Sequence, residues 1–359
     1  MYTGSTFSVQ LVLAALWALL IALFAVPSII YVAHLKNLFD APNNRSVHKI
    51  PTPRLGGVAV LAGFLSALTI FAPLANGVQY LLAGCLLLFF VGLKDDLVTV
   101  SVAKKFVGQL LATGVVMLMA DVRITSFQGI LGIGTLPIGL SYGLTFVAIV
   151  GITNAINLID GLDGLAGSIV LIISGTLGYY FYRYGGNASS NYAFVAACLM
   201  GGMLGFLRYN FCKATIFMGD TGSLVCGFII SVLAIQFIEL GNTPSQPLGN
   251  ASPAVVLGIL FVPLFDTCRV FLLRMLAGKS PFAPDKNHIH HRVLALGFSQ
   301  MATVLLLGTL NIAVIALVTN FAYLGSLPLI GGLVAFGIVL SALLGVGQSL
   351  VARRQVTVA

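Results

Sequence analysis

Two adjacent carboxylates are the first residues in the sequence whose type and spacing suit phosphate chemistry. Asp95 and Asp96 follow the apolar run LLLFFVGLK, and Lys105 lies a few residues further on. Adjacent carboxylates with nearby lysines are typical of a site that binds a divalent cation and phosphate oxygens. The pair alone is a weak signal, because acidic residues also end helices at a solvated surface.

The segment NAINLIDGLDG, residues 154–164, carries a stronger signal. If it is helical throughout, Asn157, Asp160 and Asp163 recur every three residues and line one helix face. Hard oxygen ligands beside glycines suit Mg²⁺ with a phosphorylated ligand. A plain helix cap and turn is the alternative, but it would use one Asp and the glycines and would not need two Asn and two Asp.

A third carboxylate lies in the segment FMGDTGS, residues 217–223, directly before a long apolar run. Asp220 and the small polar residues after it can simply cap a helix. A helix N-terminus also binds phosphate, and a carboxylate there can hold a bridging metal ion. The sequence leaves both roles open for this segment.

Three of the five histidines lie in GKSPFAPDKNHIHHRVLALG, residues 278–297. His288, His290 and His291 have neither an accompanying Cys nor the usual helical metal spacing, which argues against a zinc site. Histidines followed by Arg292 favour contacts to nucleotide phosphates or acid–base chemistry. A further basic segment, RSVHKIPTPRLGG at residues 45–57, either contributes to this site or only anchors the chain at the membrane surface.

The elements that must position these groups are membrane helices. Only 8% of the 359 residues are charged and 58% are hydrophobic, and the mean hydropathy is +1.04. Since a span needs roughly 20 apolar residues, we predict an all-α, polytopic integral membrane protein with about 11 spans, ten being the alternative, in a single domain over residues 1–359. The predicted spans lie near 7-33, 56-75, 79-93, 106-120, 139-156, 165-182, 192-207, 223-239, 253-275, 301-323 and 326-350.

The charge distribution predicts the orientation of these spans. When the loops are assigned alternately to two sides, sixteen of the 18 Lys and Arg residues fall on one side, which the positive-inside rule identifies as cytoplasmic. The N-terminus is then outside and the C-terminus inside. Eight of the 10 acidic residues and all five histidines share that side, so the net charge of +8 does not indicate a nucleic-acid partner. We therefore expect one cytoplasmic site built from loops at about 34-55, 94-105, 157-164, 208-222 and 276-300.

Taken together, four motifs resemble one known family. The DD pair after span three, NxxNxxDGxDGL, FMGDxGS and PFxPDxxHxHHR, in this order, are similar to the polyprenyl-phosphate N-acetylhexosamine-1-phosphate transferase family, also called glycosyltransferase 4. The similarity runs from about Asp40 to Gly297. The HxHH form resembles the GlcNAc-1-phosphate branch more than the peptidoglycan branch, which carries HHH.

The resemblance implies a function and a location. The expected reaction transfers a sugar 1-phosphate, GlcNAc-1-phosphate in first place, from a UDP-N-acetylhexosamine to undecaprenyl phosphate and releases UMP. The expected place is the cytoplasmic face of the inner (plasma) membrane, in the first membrane step of cell-surface polysaccharide synthesis. A homodimer is left open. The alternatives are a phospho-MurNAc-pentapeptide transferase of the same family and, from a different class, a cation-coupled transporter.

The resemblance also assigns roles to residues of this chain. Catalytic roles fall on Asp95, Asp96, Asp160 and Asp163; Mg²⁺, or Mn²⁺ as an alternative, falls on Asp220 and Asn157; and substrate contacts fall on His288, His290, His291, Arg292, Lys105, Lys49 and Asn154. One departure concerns the residues after the DD pair, where relatives commonly have a base. Leu97, Val98 and Thr99 follow here, so we expect Lys94 or Lys104 to substitute.

Overall fold

The computed structural model describes residues 4–39, 51–211, 213–242, 248–280 and 287–358. Within these ranges the chain is helical apart from turns, irregular loops, short 3₁₀ segments and isolated bridge residues, among them the antiparallel pair Ser126 and Thr135. The helices are α1 Gly4–Lys36, α2 Gly56–Phe71, α3 Val78–Val98, α4 Val102–Met119, α5 Ile138–Leu158, α6 Leu165–Tyr184, α7 Gly186–Ser189, α8 Asn191–Asn210, α9 Gly219–Leu240, α10 Ser252–Ile259, α11 Phe261–Leu276, α12 Ile289–Leu294, α13 Gln300–Asn320 and α14 Ser326–Val358.

Eight helices within the described ranges are long and apolar enough to cross a membrane, namely α1, α4, α5, α6, α8, α9, α13 and α14. The bent pair α10 and α11 would make nine if it forms one span. Of the remaining apolar runs, α2 has 16 residues, and α3 has 21 and carries the Asp pair in its last turn. Every predicted span therefore corresponds to a helix or a helix pair, which confirms the all-α membrane fold.

The central helix of the bundle is α9. In α9, 89% of the most apolar stretch is buried inside the protein, whereas the buried share of the corresponding stretch is 22% in both α1 and α14. Large side chains such as Phe228 and Phe237 are completely enclosed on α9, whereas Phe24 on α1 and Leu343 on α14 are exposed. A helix that is apolar all round belongs in the interior, and exposed apolar side chains on the outer helices suit contact with lipid. The residues at the start of α9 consequently lie where several helices meet.

The ninth predicted span is not one straight helix. Helices α10 and α11 meet at Leu260 and are bent by 69°. Pro263 lacks an N–H and its ring collides with the carbonyl four residues earlier, which belongs to Ile259. The buried amide of Asn311 on α13 covers the break, because it donates to the Ile259 carbonyl at 3.1 Å and accepts from the Val262 N–H at 3.2 Å. The span predicted near 253-275 is therefore a broken pair of helices.

Both α3 and α5 pack along α9, so that their C-terminal ends lie beside its N-terminal end. At the opposite end of α9, Glu239 accepts hydrogen bonds from the N–H and hydroxyl of Thr125 at 2.8 and 2.6 Å. Gln128 donates to the carbonyl of Ile238 at 2.7 Å. These bonds close one end of the bundle with backbone contacts and leave the other end to the motif residues.

Candidate active site

The carboxylate of Asp96, at the end of α3, caps the N-terminus of α9. One of its oxygens accepts from the N–H of Asp220 at 2.9 Å, and the other accepts from the N–H and the hydroxyl of Thr221 at 2.9 and 2.5 Å. Gly219 permits this approach because its φ is +69° and a Cβ there would lie 2.1 Å from the Arg54 carbonyl oxygen. The N-terminus of α9, which the sequence suggested as a phosphate site, thus binds a carboxylate of the protein itself.

Three carboxylates converge at this point. Ligand oxygens of Asp95, Asp96 and Asp220 all lie within 4.8 Å of one another. The Lys105 ammonium lies 2.7 Å from an oxygen of Asp95 and 2.5 Å from an oxygen of Asp220. The Val100 N–H donates a hydrogen bond of 2.6 Å to the other oxygen of Asp95. We refer to Asp95, Asp96 and Asp220 as the aspartate cluster. Three hard oxygen donors at this spacing fit a divalent cation.

Lys105 is the lysine that contacts the aspartate cluster. Its side chain is half-buried, whereas Lys94 and Lys104 are exposed. The structure therefore gives Lys105, and neither of the two lysines proposed as substitutes, the position beside the carboxylates. Lys49 lies outside the described residues.

Asn157, in the last turn of α5, joins the segment 154–164 to the aspartate cluster. Its amide donates to an oxygen of Asp220 at 3.3 Å and to the Ser223 hydroxyl at 2.7 Å. The first bond orients the Asp220 carboxylate, and the second holds the Asn157 amide in place. The structure thus brings Asn157 and Asp220 together, and it adds Ser223 to the residues that position them.

Asp160 lies in the turn between α5 and α6 and faces the aspartate cluster. Burial raises the pKa of its carboxyl to about 7, with further contributions from the neighbouring carboxylates of Asp220, Asp96 and Asp163 and an opposing one from Arg54. A carboxyl that titrates near neutral pH can accept and release a proton under working conditions. Asp160 is accordingly the residue of the turn best suited to proton transfer.

Asp163 takes a different position from the one expected for a continuous helix. Helix α5 ends at Leu158 and α6 begins at Leu165, with Gly164 between them at φ +76°. Since only glycine adopts this conformation readily, the segment turns where the three-residue spacing predicted a helix. Asp163 then accepts from the Ala214 N–H at 3.1 Å, while Asn210 accepts from the Gly164 N–H at 2.8 Å. Asp163 therefore ties the turn to the loop after α8.

Asn154 lies one turn before Asn157 and forms a reciprocal amide pair with Gln109 of α4. The Asn154 amide donates to Gln109 at 2.8 Å and accepts from it at 3.2 Å. It also donates to the Val150 carbonyl at 2.8 Å. Hydrogen-bonded amides of this kind hold neighbouring membrane helices together. The structure places Asn154 in this helix–helix contact.

The histidine motif forms the short helix α12 and approaches the turn at Asp160. The ring of His290 lies between those of His288 and His291, with ring centres 5.8 and 4.3 Å away. A Cβ at Gly161 would lie 2.8 Å from the His290 ring, so the motif packs directly on the turn. Burial lowers the pKa of His290 to about 3, so the ring is neutral at neutral pH.

His288, directly before α12, and Arg292, within it, contact neighbouring helices. The Nδ1 atom of His288 lies 2.8 Å from Asp266 of α11. Arg292 donates to the Gln348 side chain at 3.1 Å and to the Ser341 hydroxyl at 3.4 Å, both on α14. Sequence reasoning gave Asp266 and Gln348 no role. An acidic residue inside an apolar run was a usable signal for Asp266, whereas Gln348 had none.

Comparisons with known proteins agree with this arrangement. The model of glycosyl transferase family 4 matches residues 78–238, which contain the aspartate cluster and the turn at Asp160. The chain is 34% identical over 307 residues to a probable undecaprenyl-phosphate N-acetylglucosaminyl 1-phosphate transferase of Bacillus subtilis, covering 83% of this chain and 81% of that protein.

Two further relatives are similar over most of their length. Identity is 32% over 321 residues to a decaprenyl-phosphate N-acetylglucosaminephosphotransferase of Mycobacterium leprae, covering 83% of this chain and 80% of that protein. It is 33% over 288 residues to an undecaprenyl-phosphate alpha-N-acetylglucosaminyl 1-phosphate transferase of Salmonella typhi, covering 78% and 75%. With its motifs gathered at one end of the helical bundle and relatives of this kind, the chain belongs to glycosyl transferase family 4.

Proposed function

We propose that the protein transfers GlcNAc-1-phosphate from UDP-GlcNAc to undecaprenyl phosphate and releases UMP. The product is an undecaprenyl-diphosphate-linked sugar, the starting lipid for a cell-surface polysaccharide. The names of the relatives support this substrate pair. The observation that carries the proposal is the convergence of three carboxylates and Lys105 beside the turn at Asp160, because transfer between two phosphate groups needs both charge neutralisation and precise placement.

In this proposal Asp95, Asp96 and Asp220 would hold a Mg²⁺ ion, or Mn²⁺, and the ion would supply positive charge to offset that of the pyrophosphate. Lys105 adds positive charge beside the same oxygens. A lipid phosphate oxygen attacks the phosphorus that carries the sugar, and the bond from that phosphorus to the bridging oxygen breaks, so UMP leaves with that oxygen.

Proton transfer has a smaller share in this reaction than positioning. The second pKa of a phosphate monoester is near 6, so most of the lipid phosphate is already ionised at neutral pH. Asp160 takes the remaining proton, because its raised pKa suits it for that exchange. Asp96 contributes by capping α9, and Asp95 by holding Lys105. We favour direct transfer over a path through an aspartyl phosphate, because every carboxylate of the aspartate cluster already has a part in holding the cation, Lys105 or α9, and Asp160 is assigned to the proton.

We further propose that the site faces the cytoplasm and that the protein resides in the inner membrane. The support is the segregation of Lys and Arg, together with the meeting of the motif loops at one end of the bundle. A cysteine introduced by Ser280→Cys is then protected from a membrane-impermeant maleimide in intact cells, and its matched control, Ile133→Cys at the other end, is labelled. Labelling of position 280 from outside would contradict the proposal and indicate the opposite orientation.

Release of UMP tests the reaction itself. Purified protein with Mg²⁺, undecaprenyl phosphate and UDP-GlcNAc should release UMP only when all three are present. UDP-GalNAc and UDP-MurNAc-pentapeptide in place of UDP-GlcNAc identify the donor. Absence of UMP with every donor would contradict the proposal, and ion-dependent substrate uptake into vesicles would favour the transporter instead.

A further inference from the structure

Asp266 is a completely buried carboxylate in α11, and the proposed reaction gives it no role. Burying a charge within an apolar helix is costly unless the charge is paired and hydrogen-bonded. Asp266 has three donors: His288 Nδ1 at 2.8 Å, the Ile289 N–H at 2.8 Å and the Arg269 guanidinium at 3.1 Å. Two of these three belong to the histidine motif, so the carboxylate acts mainly on that segment.

The same contact holds the chain on both sides of His288. Arg269, itself buried, donates to the carbonyl of Asn287 as well as to Asp266. Three consecutive residues, 287 to 289, are thus fixed to α11 where the chain enters α12. The position of α12, and with it the packing of His290 on Gly161, depends on this attachment.

The carboxylate also decides which nitrogen of His288 carries a proton. A carboxylate accepts hydrogen bonds and cannot donate them, so Nδ1 must be the protonated nitrogen in this contact. The other ring nitrogen, Nε2, is then the one left for a substrate. An aspartate that holds an imidazole in one tautomer and one orientation is a known device in catalytic triads, where losing the charge costs activity although the geometry is kept.

We propose that Asp266 is a positioning residue for phosphate transfer: it fixes the tautomer of His288 and the start of α12, so that Nε2 of His288 faces the bound nucleotide sugar as a hydrogen-bond acceptor for one of its hydroxyl or N–H groups. This inference rests on the proposed function for the substrate. The Asp266–His288 contact itself can be tested without any substrate.

The first test is the ¹⁵N NMR spectrum of histidine-labelled protein in nanodiscs at pH 8, with the His288 signals identified from their loss in His288→Gln. We expect His288 to be protonated at Nδ1 in the wild type, and the population of this tautomer to fall in Asp266→Asn. A wild-type His288 that is neutral and protonated at Nε2 would overturn the proposal, as would a tautomer that Asp266→Asn leaves unchanged.

The second test is a double-mutant cycle on UMP release. Asp266→Asn and His288→Ala should each lower kcat/KM by about ten- to a hundredfold. The kcat/KM of the double variant should be no lower than that of the less active single variant, because both substitutions remove the same contact. Glu239→Gln is the matched control, since it alters a hydrogen-bonded carboxylate at the opposite end of α9, and its effect should add to that of His288→Ala. Additive losses for Asp266 and His288 would overturn the proposal.

A third variant separates position from stability. In His288→Asn the amide N–H takes the place of Nδ1–H and preserves the contact with Asp266, while Nε2 is deleted. This variant should keep the thermal stability of the wild type and lose activity as His288→Ala does; full activity would overturn the proposal. If Asp266→Asn fails to fold, the proposal is still tested by the tautomer of His288 in the wild-type spectrum and by the activity of His288→Asn. A wild type without UMP release would refute the proposed function, but the NMR result would stand separately.

Discussion

At the scale of single residues, the contact between Gly161 and His290 gives a prediction for the turn. The backbone at Gly161 does not adopt a left-handed conformation, so alanine is compatible with it, but its Cβ would lie 2.8 Å from the buried His290 ring. We expect Gly161→Ala to lower kcat/KM about tenfold by displacing that ring, a loss comparable to one hydrogen bond to a charged group. In a His290→Ala background the same change should cost little. Equal losses in both backgrounds would show that the ring is not the cause.

His290 should also make stability depend on pH. Its pKa is lowered to about 3 by burial and by His291, whereas in the unfolded chain it has the ordinary value near 6.5. The folded state therefore resists protonation, and its stability is fully present above the unfolded pKa and falls as the pH drops from about 6.5 towards 3. Thermal unfolding between pH 7.5 and pH 5 measures this loss. His290→Met, which cannot ionise, should lose less stability over that range; an equal loss would assign the effect to His288, His291 or other groups.

Asp96 and Asp220 should respond differently to substitution although both belong to the aspartate cluster. Asp96→Ala removes the cap of α9 and should lower stability by about 0.5–2 kcal/mol. Asp220→Asn should abolish transfer and weaken the Mg²⁺ dependence of UMP release, because a neutral amide holds a hard cation poorly. Asp96→Asn, which keeps one of the two accepting oxygens, is the control and should lose less stability. Near-normal turnover of Asp220→Asn with an unchanged Mg²⁺ optimum would remove Asp220 from the cation site.

At the scale of elements, the sequence predicted which segments meet but not every contact they make. Carboxylates and histidines stood out because charge is rare in this chain, so their gathering at one end was predictable from composition. Asn154 instead pairs with Gln109, and Asp163 with the backbone of Ala214, 45 and 51 residues away. No local sequence pattern predicts such partners, because the residues around Asn154 and Asp163 would be the same whether these side chains contacted a substrate or another helix.

Helix α14 gives a prediction of the same kind, because it holds the histidine motif through Arg292. Gln348→Leu removes the nearer of the two α14 acceptors of Arg292 and should lower kcat/KM towards the level of Arg292→Ala, with no further loss in the double variant. Gln348→Glu keeps an acceptor and should retain most activity. UMP release at saturating and limiting UDP-GlcNAc measures both. If the two losses add, Arg292 acts on the nucleotide independently of α14.

At the scale of the whole molecule, the all-α membrane fold was predictable from hydropathy, but the break between α10 and α11 was not. Hydropathy is continuous across the break, and the Pro263 that causes it is tolerated in many membrane helices. The missing information was Asn311, whose amide pairs with the two freed backbone groups from another helix. Only the three-dimensional arrangement brings the two together.

Asn311 should therefore stabilise the bundle. Asn311→Leu leaves the Ile259 carbonyl and the Val262 N–H without partners in an apolar interior, which should cost about 1–3 kcal/mol. The midpoint of thermal unfolding in detergent measures the loss. Asn320→Leu, at the exposed end of the same helix, is the matched control and should change it little. Equal midpoints for the two variants would mean that the break is stable without Asn311.

The enclosure of α9 has a consequence for biosynthesis. Asp96 and the α9 residues that it caps are 124 residues apart, and α9 is surrounded by helices made both before and after it. When α3 leaves the ribosome, its terminal carboxylates have Lys105 nearby but no helix to cap. A chain interrupted before α9 therefore contains the acidic pair without Asp220, and the aspartate cluster forms only when α9 has entered the bundle.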